Sequence, residues 1–263
     1  RPGVDQIIQG TSGLMSITGE PGRGPMRVGI AISDTSAGMF LGQGILLALI
    51  HRDKTGEGQW VHTSLLEAML SKIDFQGARY TMSGEVAEQQ GNFHPTQVPM
   101  GVFESADGQV NLAASTGKMW VNFCQALDAK ALLEQPEYQR AGDRVKHRDQ
   151  LNIDVNQVTR GFTTADLVAR LNAVGVPCGP IYTIGEAFED PQAQHLQMTR
   201  SAPHPELGDI SLVRSPINLS ACPAPKSFHH AGPAAGEHSA EILLELGFSA
   251  GEIKALMAAK AIG

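Results

Sequence analysis

The chain has 263 residues, 42% of them hydrophobic and 18% charged, with a formal net charge of −7. That composition belongs to a folded chain with a sizeable core rather than a disordered one. The acidic balance argues against general affinity for nucleic acid or an anionic membrane, and the longest apolar run, Ile45 to Ile50, falls far short of the roughly 20 residues a membrane span needs.

Three cysteines, Cys124, Cys178 and Cys222, lie far apart with no CxxC pair. Reduced thiols in a cytoplasmic protein are the expectation. The chain opens Arg1-Pro2-Gly3 with neither initiator Met nor signal peptide, as a fragment or a boundary inside a longer protein would.

In chain order, Gln6 to Ile17 reads as a short helix and a turn, interrupted by Gly10 and Gly13. Gly19 to Pro25, with three glycines and two prolines, is loop. Val28 to Ile32, five apolar or small residues, predicts a short strand covered on both faces. Ser33-Asp34-Thr35-Ser36 then supplies N-cap chemistry for a helix ending near His51-Arg52. Asp34 thus sits at a strand-to-helix junction, where free N–H groups and the helix dipole favour an ionised carboxylate. On local sequence alone, a plain cap and a nucleophile are both open for it. Gly38 and Gly42 fall four apart on the same helix, a stripe suited to close helix packing or to a bound ligand.

Gln59 to Thr63 predicts another short strand. Ser64-Leu-Leu-Glu67 is a capping box for a helix lasting to about Met82 and stopped by Gly84. Alternating strands and helices indicate α/β architecture. Gly91 to Gly101, with two prolines and two glycines, is ordered loop. Val102-Phe103 and Gln109 to Ala114 form a hairpin across Ala106-Asp107-Gly108. Met119 to Leu127, Pro136 to Asn156 and the helix opened by Thr163 complete a smaller α+β segment reaching about Ile184. Gly185 to Thr199 is helical, Ile210 to Val213 a short strand, and Pro216 to Ser220 irregular or edge. A Pro/Ala-rich loop precedes helices over Ser239 to Leu246 and Ser249 to Ala259, the second with the capping box Ser249-Ala-Gly-Glu252.

No dinucleotide fingerprint, P-loop, HExxH or GxSxG motif is present. The nine histidines show no metal-ligand spacing, and His229-His230 reads as solvated loop, so no metal is expected.

Ten markers in the same order resemble the class III CoA-transferases, of formyl-CoA transferase and carnitine CoA-transferase type, a family that also includes α-methylacyl-CoA racemase. They are Arg1-Pro-Gly-Val-Asp5, Ser12 to Gly19, Val28 to Asp34, Lys54 to Gln59, Ser64-Leu-Leu-Glu67, Gly91-Asn-Phe-His-Pro95, Pro177-Cys-Gly-Pro180, Asp190-Pro191, Ser215-Pro216 and Gly236-Glu-His238. The resemblance implies that Asp34 is the catalytic aspartate. It would attack an acyl-CoA thioester, pass through a mixed anhydride and an aspartyl-CoA thioester, and hand CoA to a carboxylic acid acceptor. The racemase branch places a histidine where this chain has Val4, which cannot exchange a proton, so the departure argues for transferase over racemase. Ser115-Thr116-Gly117-Lys118 is the nearest counterpart of a glycine-rich loop over the active site. Gly117 and Lys118 are therefore substrate-binding candidates, beside His94; Glu67 is a further substrate or supporting contact, with a capping role equally open.

The resemblance also implies a fold: a partial nucleotide-binding-type large domain built from both chain ends, with a smaller α+β domain inserted between them. Residues 1–90 would form the C-terminal part of the large-domain core, 91–184 the small domain, and 185–263 the return linker and the rest of the large domain. It implies no permanently bound cofactor, an acyl-CoA thioester as substrate, an interlocked homodimer, and an N-terminal section preceding Arg1 that supplies most CoA contacts. A truncated, non-catalytic assembly domain is the remaining alternative.

Overall fold

The computed structural model describes residues 2–262; Arg1 of the first marker lies outside them. The chain divides into two compact units, residues 1–181 and 182–263.

The first unit opens with helices α1 (Asp5–Thr11) and α2 (Leu14–Ile17), then the 24-residue helix α3 (Ile32–Thr55). Residues 28–32 form no strand. The Val28 N–H donates to Gln9 Oε1 at 2.9 Å, and the Ile30 carbonyl accepts from Gln9 Nε2 at 3.2 Å. A side-chain amide thus satisfies backbone groups that a neighbouring strand would otherwise take, and Ile30 is 61% exposed rather than buried. Gln59 to Thr63 is likewise irregular, with Trp60 exposed and its ring against His62.

The helix expected over 65–82 is two helices, α4 (Leu65–Lys72) and α5 (Asp74–Ser83), broken where Asp74 turns to φ 50°. Gly84 closes α5 in the left-handed conformation, as its position required. Only half of the Ser64 capping box forms: Glu67 N–H donates to Ser64 Oγ at 3.2 Å.

Strands β1 (Met100–Glu104), β2 (Gln109–Ala113) and β3 (Cys178–Pro180) make an antiparallel sheet in that order. Phe103 pairs with Val110, both on the buried face. Helices α6 (Gly117–Ala126), α7 (Lys130–Glu134), α8 (Ala141–Lys146), α9 (Arg148–Thr159) and α10 (Thr164–Ala173) complete this part, with a 3₁₀ turn at Pro136–Tyr138. Its apolar core is continuous from Val98 to Cys178 and includes Trp120, Phe123, Leu151, Leu167 and Leu171.

Residues 1–90 differ. Their buried apolar side chains are Ala37, Ala68 and Met69, while Met39, Ile45, Leu46, Leu47 and Ile50 of α3 are exposed. By length and composition α3 meets the requirement of a membrane span, with a mean hydropathy of 1.2 over its most apolar 18 residues. Two apolar runs, Met39-Phe40-Leu41 and Ile45 to Ile50, give it that value, separated by Gly42-Gln43-Gly44. A helix apolar on every side is equally the pattern of one surrounded by protein.

In the second unit, α11 (Ile184–Glu189) and α12 (Pro191–His195) precede a hairpin of β4 (Thr199–His204) and β5 (Gly208–Val213). Pro203 and His204 lie at the end of β4. The other edge of β4 is covered by its own chain, since the Phe228 and Ala231 N–H groups donate to the Ser201 and Pro203 carbonyls. Helices α13 (Ser239–Glu245) and α14 (Ala250–Ala258) close the chain, and α14 carries the complete Ser249/Glu252 capping box.

Candidate active site around Asp34

Asp34 is the third residue of α3, exposed on its first turn. It makes no side-chain hydrogen bond or ion pair among the described residues, and it is not the cap. The N-cap position is Ala31, whose side chain cannot accept a hydrogen bond. The capping carboxylate comes instead from α1, where Asp5 Oδ1 accepts the Ser33 N–H at 2.9 Å. An acid at the third helical position keeps the favourable dipole interaction while its side chain stays free.

Asp5 is held in turn by Gln9, whose Nε2 donates to Asp5 Oδ2 at 2.8 Å, and by Arg27, 3.9 Å away and half-exposed. Gln9 is fully buried and Asp5 nearly so. Burial alone would raise the Asp5 pKa; the hydrogen bonds from Ser33 N–H and Gln9, with the Arg27 charge, outweigh it and hold the carboxyl below the usual range. Ser33 is also completely buried, and its hydroxyl has no hydrogen-bond partner among the described residues.

Gly38 and Gly42 face open space: nothing lies within 4 Å of where a Cβ would stand on either. Close packing falls on Gly44, where a Cβ would meet Val61 at 2.8 Å. A mostly apolar groove of about 530 Å³ lies between α1 and α4, lined by Ile7, Ile8, Leu65 and Leu66 among others.

His94 stacks on Phe75, ring centroids 5.5 Å apart. Its Nδ1 accepts the N–H groups of Thr96 and Gln97 at 3.2 and 3.1 Å, which fixes the neutral tautomer with the proton on Nε2. Burial, then the neighbouring Arg148 charge, lowers its pKa below 6.5. Arg148 ties the same loop by donating to the His94 and Pro95 carbonyls. Gly117 and Lys118 are exposed at the start of α6, which Thr116 caps. The structure joins the His94 loop to the Gly117–Lys118 segment: Ser115 Oγ donates to Gln97 Oε1 at 2.8 Å, and Arg144 donates to both the Val98 and Ser115 carbonyls. No hydrogen bond or ion pair links Asp34 to His94, Gly117 or Lys118 among the described residues.

Gln9, Arg144 and Arg148 escaped the sequence reading, because a lone Gln or Arg in a polar helix looks like surface. Among the described residues no group of three His, Cys, Asp or Glu could hold a metal ion. His230 and His238, 5.6 Å apart, line a small cavity with His204.

A sequence profile described as CoA-transferase family III matches residues 1–239. A succinate–glutarate CoA-transferase of Agrobacterium fabrum is 34% identical over 244 residues, 93% of this chain and 60% of the relative. A succinyl-CoA:mesaconate CoA-transferase of Haloarcula marismortui is 32% identical over 95% of this chain and 62% of its own length. Among solved structures, a CAIB/BAIF family protein from Brucella suis superposes with a TM-score of 0.78 at 30% identity, covering 94% of this chain and 63% of that one. The chain thus spans about three fifths of the length of these relatives.

Proposed function

Because this chain belongs to CoA-transferase family III, we propose that it carries the nucleophilic part of an enzyme moving CoA from an acyl-CoA to a carboxylic acid. Asp34 is the nucleophile. The supporting observation is a carboxylate free of partners on the first turn of a long helix whose start is held by buried hydrogen bonds.

In the proposed reaction an Asp34 carboxylate oxygen attacks the thioester carbonyl carbon. The C–S bond breaks, CoA leaves as thiolate, and an acyl-aspartyl anhydride remains. The thiolate then attacks the aspartyl carbonyl, expelling the donor acid as carboxylate and leaving an aspartyl-CoA thioester. The acceptor carboxylate attacks that thioester, and a second anhydride and thiolate exchange release the new acyl-CoA and regenerate Asp34. No proton is consumed and no cofactor is needed; CoA enters and leaves as substrate. Peptide N–H groups at the helix start are suited to stabilise the oxyanion at each step. The name of the Haloarcula relative favours succinyl-CoA as donor, and both names favour small dicarboxylic acids as the exchanging partners.

The wider proposal is the one the family carries: residues 1–90 and 185–263 in a nucleotide-binding-type large domain, 91–184 as the small domain between them, and an interlocked homodimer in the cytoplasm. The exposed leucines and isoleucines of α3 support the dimer, since they are positioned to be covered by further protein. Three free thiols, two of them buried, suit a reducing compartment. His94, Gly117 and Lys118 belong to this proposal as substrate contacts.

Two other readings predict different products. Racemase-type isomerisation needs an acid/base group on each face of the α-carbon, and Val4 provides none. A non-catalytic assembly domain predicts no chemistry at all. Incubation of the full-length gene product with succinyl-CoA, hydroxylamine trapping and peptide mass spectrometry separate them. A hydroxamate on the Asp34 peptide, absent from Asp34→Ala and without thioester, is expected of the transferase. Exchange of α-protons with deuterated water and no hydroxamate would establish the isomerase, and neither reaction in folded protein the assembly domain.

A further inference from the structure

We infer that Asp5 and Gln9 are positioning residues for Asp34: α1 holds the backbone from Val28 to Ser33 and thereby aims the nucleophile. This rests on the reading of Asp34 given above.

Little else fixes that segment. It has no strand partner, it contains Gly29, and its helix begins at an alanine that cannot cap. Four hydrogen bonds substitute. Gln9 Oε1 accepts from Val28 N–H at 2.9 Å, Gln9 Nε2 donates to the Ile30 carbonyl at 3.2 Å and to Asp5 Oδ2 at 2.8 Å, and Asp5 Oδ1 accepts from Ser33 N–H at 2.9 Å. The order matters, because every donor in the set meets an acceptor only with Gln9 in this one amide orientation. Asp34 follows Ser33 directly, so the last bond sets the direction of its Cα–Cβ vector.

A merely stabilising role would be served as well by apolar packing. A buried carboxylate and a buried amide are costly to desolvate, and what they add is direction. Catalytic geometry is sensitive on that scale: a displacement of about 1 Å can lower a rate by about a hundredfold.

The test is the single-turnover rate of hydroxamate formation at Asp34, measured against succinyl-CoA concentration. In Asp5→Asn the introduced amide nitrogen opposes Gln9 Nε2, two donors face to face, while Gln9 Oε1 is still occupied by Val28 N–H. We expect the saturating rate to fall about tenfold or more, with half-saturation within about twofold of the parent, because the substrate contacts are untouched. Asp5→Asn combined with Gln9→Glu reverses the pair. The introduced amide oxygen takes the Ser33 N–H, and its nitrogen donates to the introduced carboxylate, which still accepts from Val28 N–H. The tie to the Ile30 carbonyl and the charge pairing of residue 5 with the half-exposed Arg27 are lost. That double variant should recover about threefold or more of the lost rate. Should Asp5→Asn not fold, Gln9→Met removes the ties at Val28 and Ile30, spares the Ser33 bond, and is expected to slow labelling about threefold at unchanged half-saturation.

An unchanged rate in a folded single variant, or a loss that the reversed pair does not recover, would overturn the inference while leaving Asp34 as nucleophile. Absence of label at Asp34 in the parent protein would remove the nucleophile reading and this inference with it.

Discussion

Arg144 and Arg214 are buried, and each is held by carbonyl oxygens alone. Arg144 donates to Val98, Tyr138 and Ser115, with its guanidinium 5.5 Å from the Trp120 ring. Arg214 donates to Leu196, Gln197 and Ser215. No carboxylate pairs with either among the described residues. Replacing such a cation leaves three carbonyls unmatched, so Arg144→Met should destabilise the protein by about 3 kcal/mol or more, read from urea unfolding. His94 gives a pH prediction. Burial and Arg148 depress its folded pKa below the unfolded 6.5, so the fold favours the neutral ring. The stability it contributes is complete above 6.5 and declines as pH falls toward the folded value, because the unfolded chain takes up the proton first. Unfolding midpoints should therefore drop as pH falls below about 6.5, and less steeply in His94→Asn, whose Oδ1 can accept the same two N–H groups without titrating. Asp34 is singled out by the family resemblance, since its local sequence leaves a plain cap open, and His94 lies within one of that family's markers. Sequence reading could not select Gln9 or Arg144, whose importance arises only when residues 19 to 46 positions away come to face them.

At the level of elements, what was legible was local. Ser249 and Glu252 close a full capping box on α14, as their spacing indicates, and Thr183 and Glu186, unread in the sequence, close another on α11. Ser249→Ala and Thr183→Ala should each destabilise by about 1 kcal/mol in urea unfolding, whereas Ser64→Ala, which loses only half a box, should cost less. The hairpin of β1 and β2 was readable from alternation around Asp107-Gly108, and Asp107 anchors the turn by accepting the Thr164 N–H at 2.7 Å. Apolar content misled at 28–32 and 59–63: short apolar runs indicate burial or extension, but a strand also needs a neighbour for its backbone, and that is not a local property. β4 went unread; its run contains Pro203, and a proline is tolerated in a strand where its missing N–H is not needed by the ladder.

For the whole molecule, side chains of opposite character divide the first unit. From Val98 to Cys178 the apolar residues face one another, whereas on α3 they face outward. An apolar face of that extent is expected to be covered in solution. The protein should scatter light as a species larger than one chain, and Leu47→Glu, at a position 67% exposed, should shift it toward smaller species without lowering the urea midpoint of the Val98–Cys178 core. The family was legible because its markers are spread along the chain; the extent of the α3 surface was not, because a sequence window does not say which side of an apolar helix meets the rest of the fold. The closed core between Val98 and Cys178 has an evolutionary consequence. Substitutions inside it can be compensated only by one another, so the segment should drift as a unit. Grafted between relatives it should keep its fold and act as a cassette, whereas the same exchange made with residues 1–90 should fail unless whatever covers α3 is exchanged too.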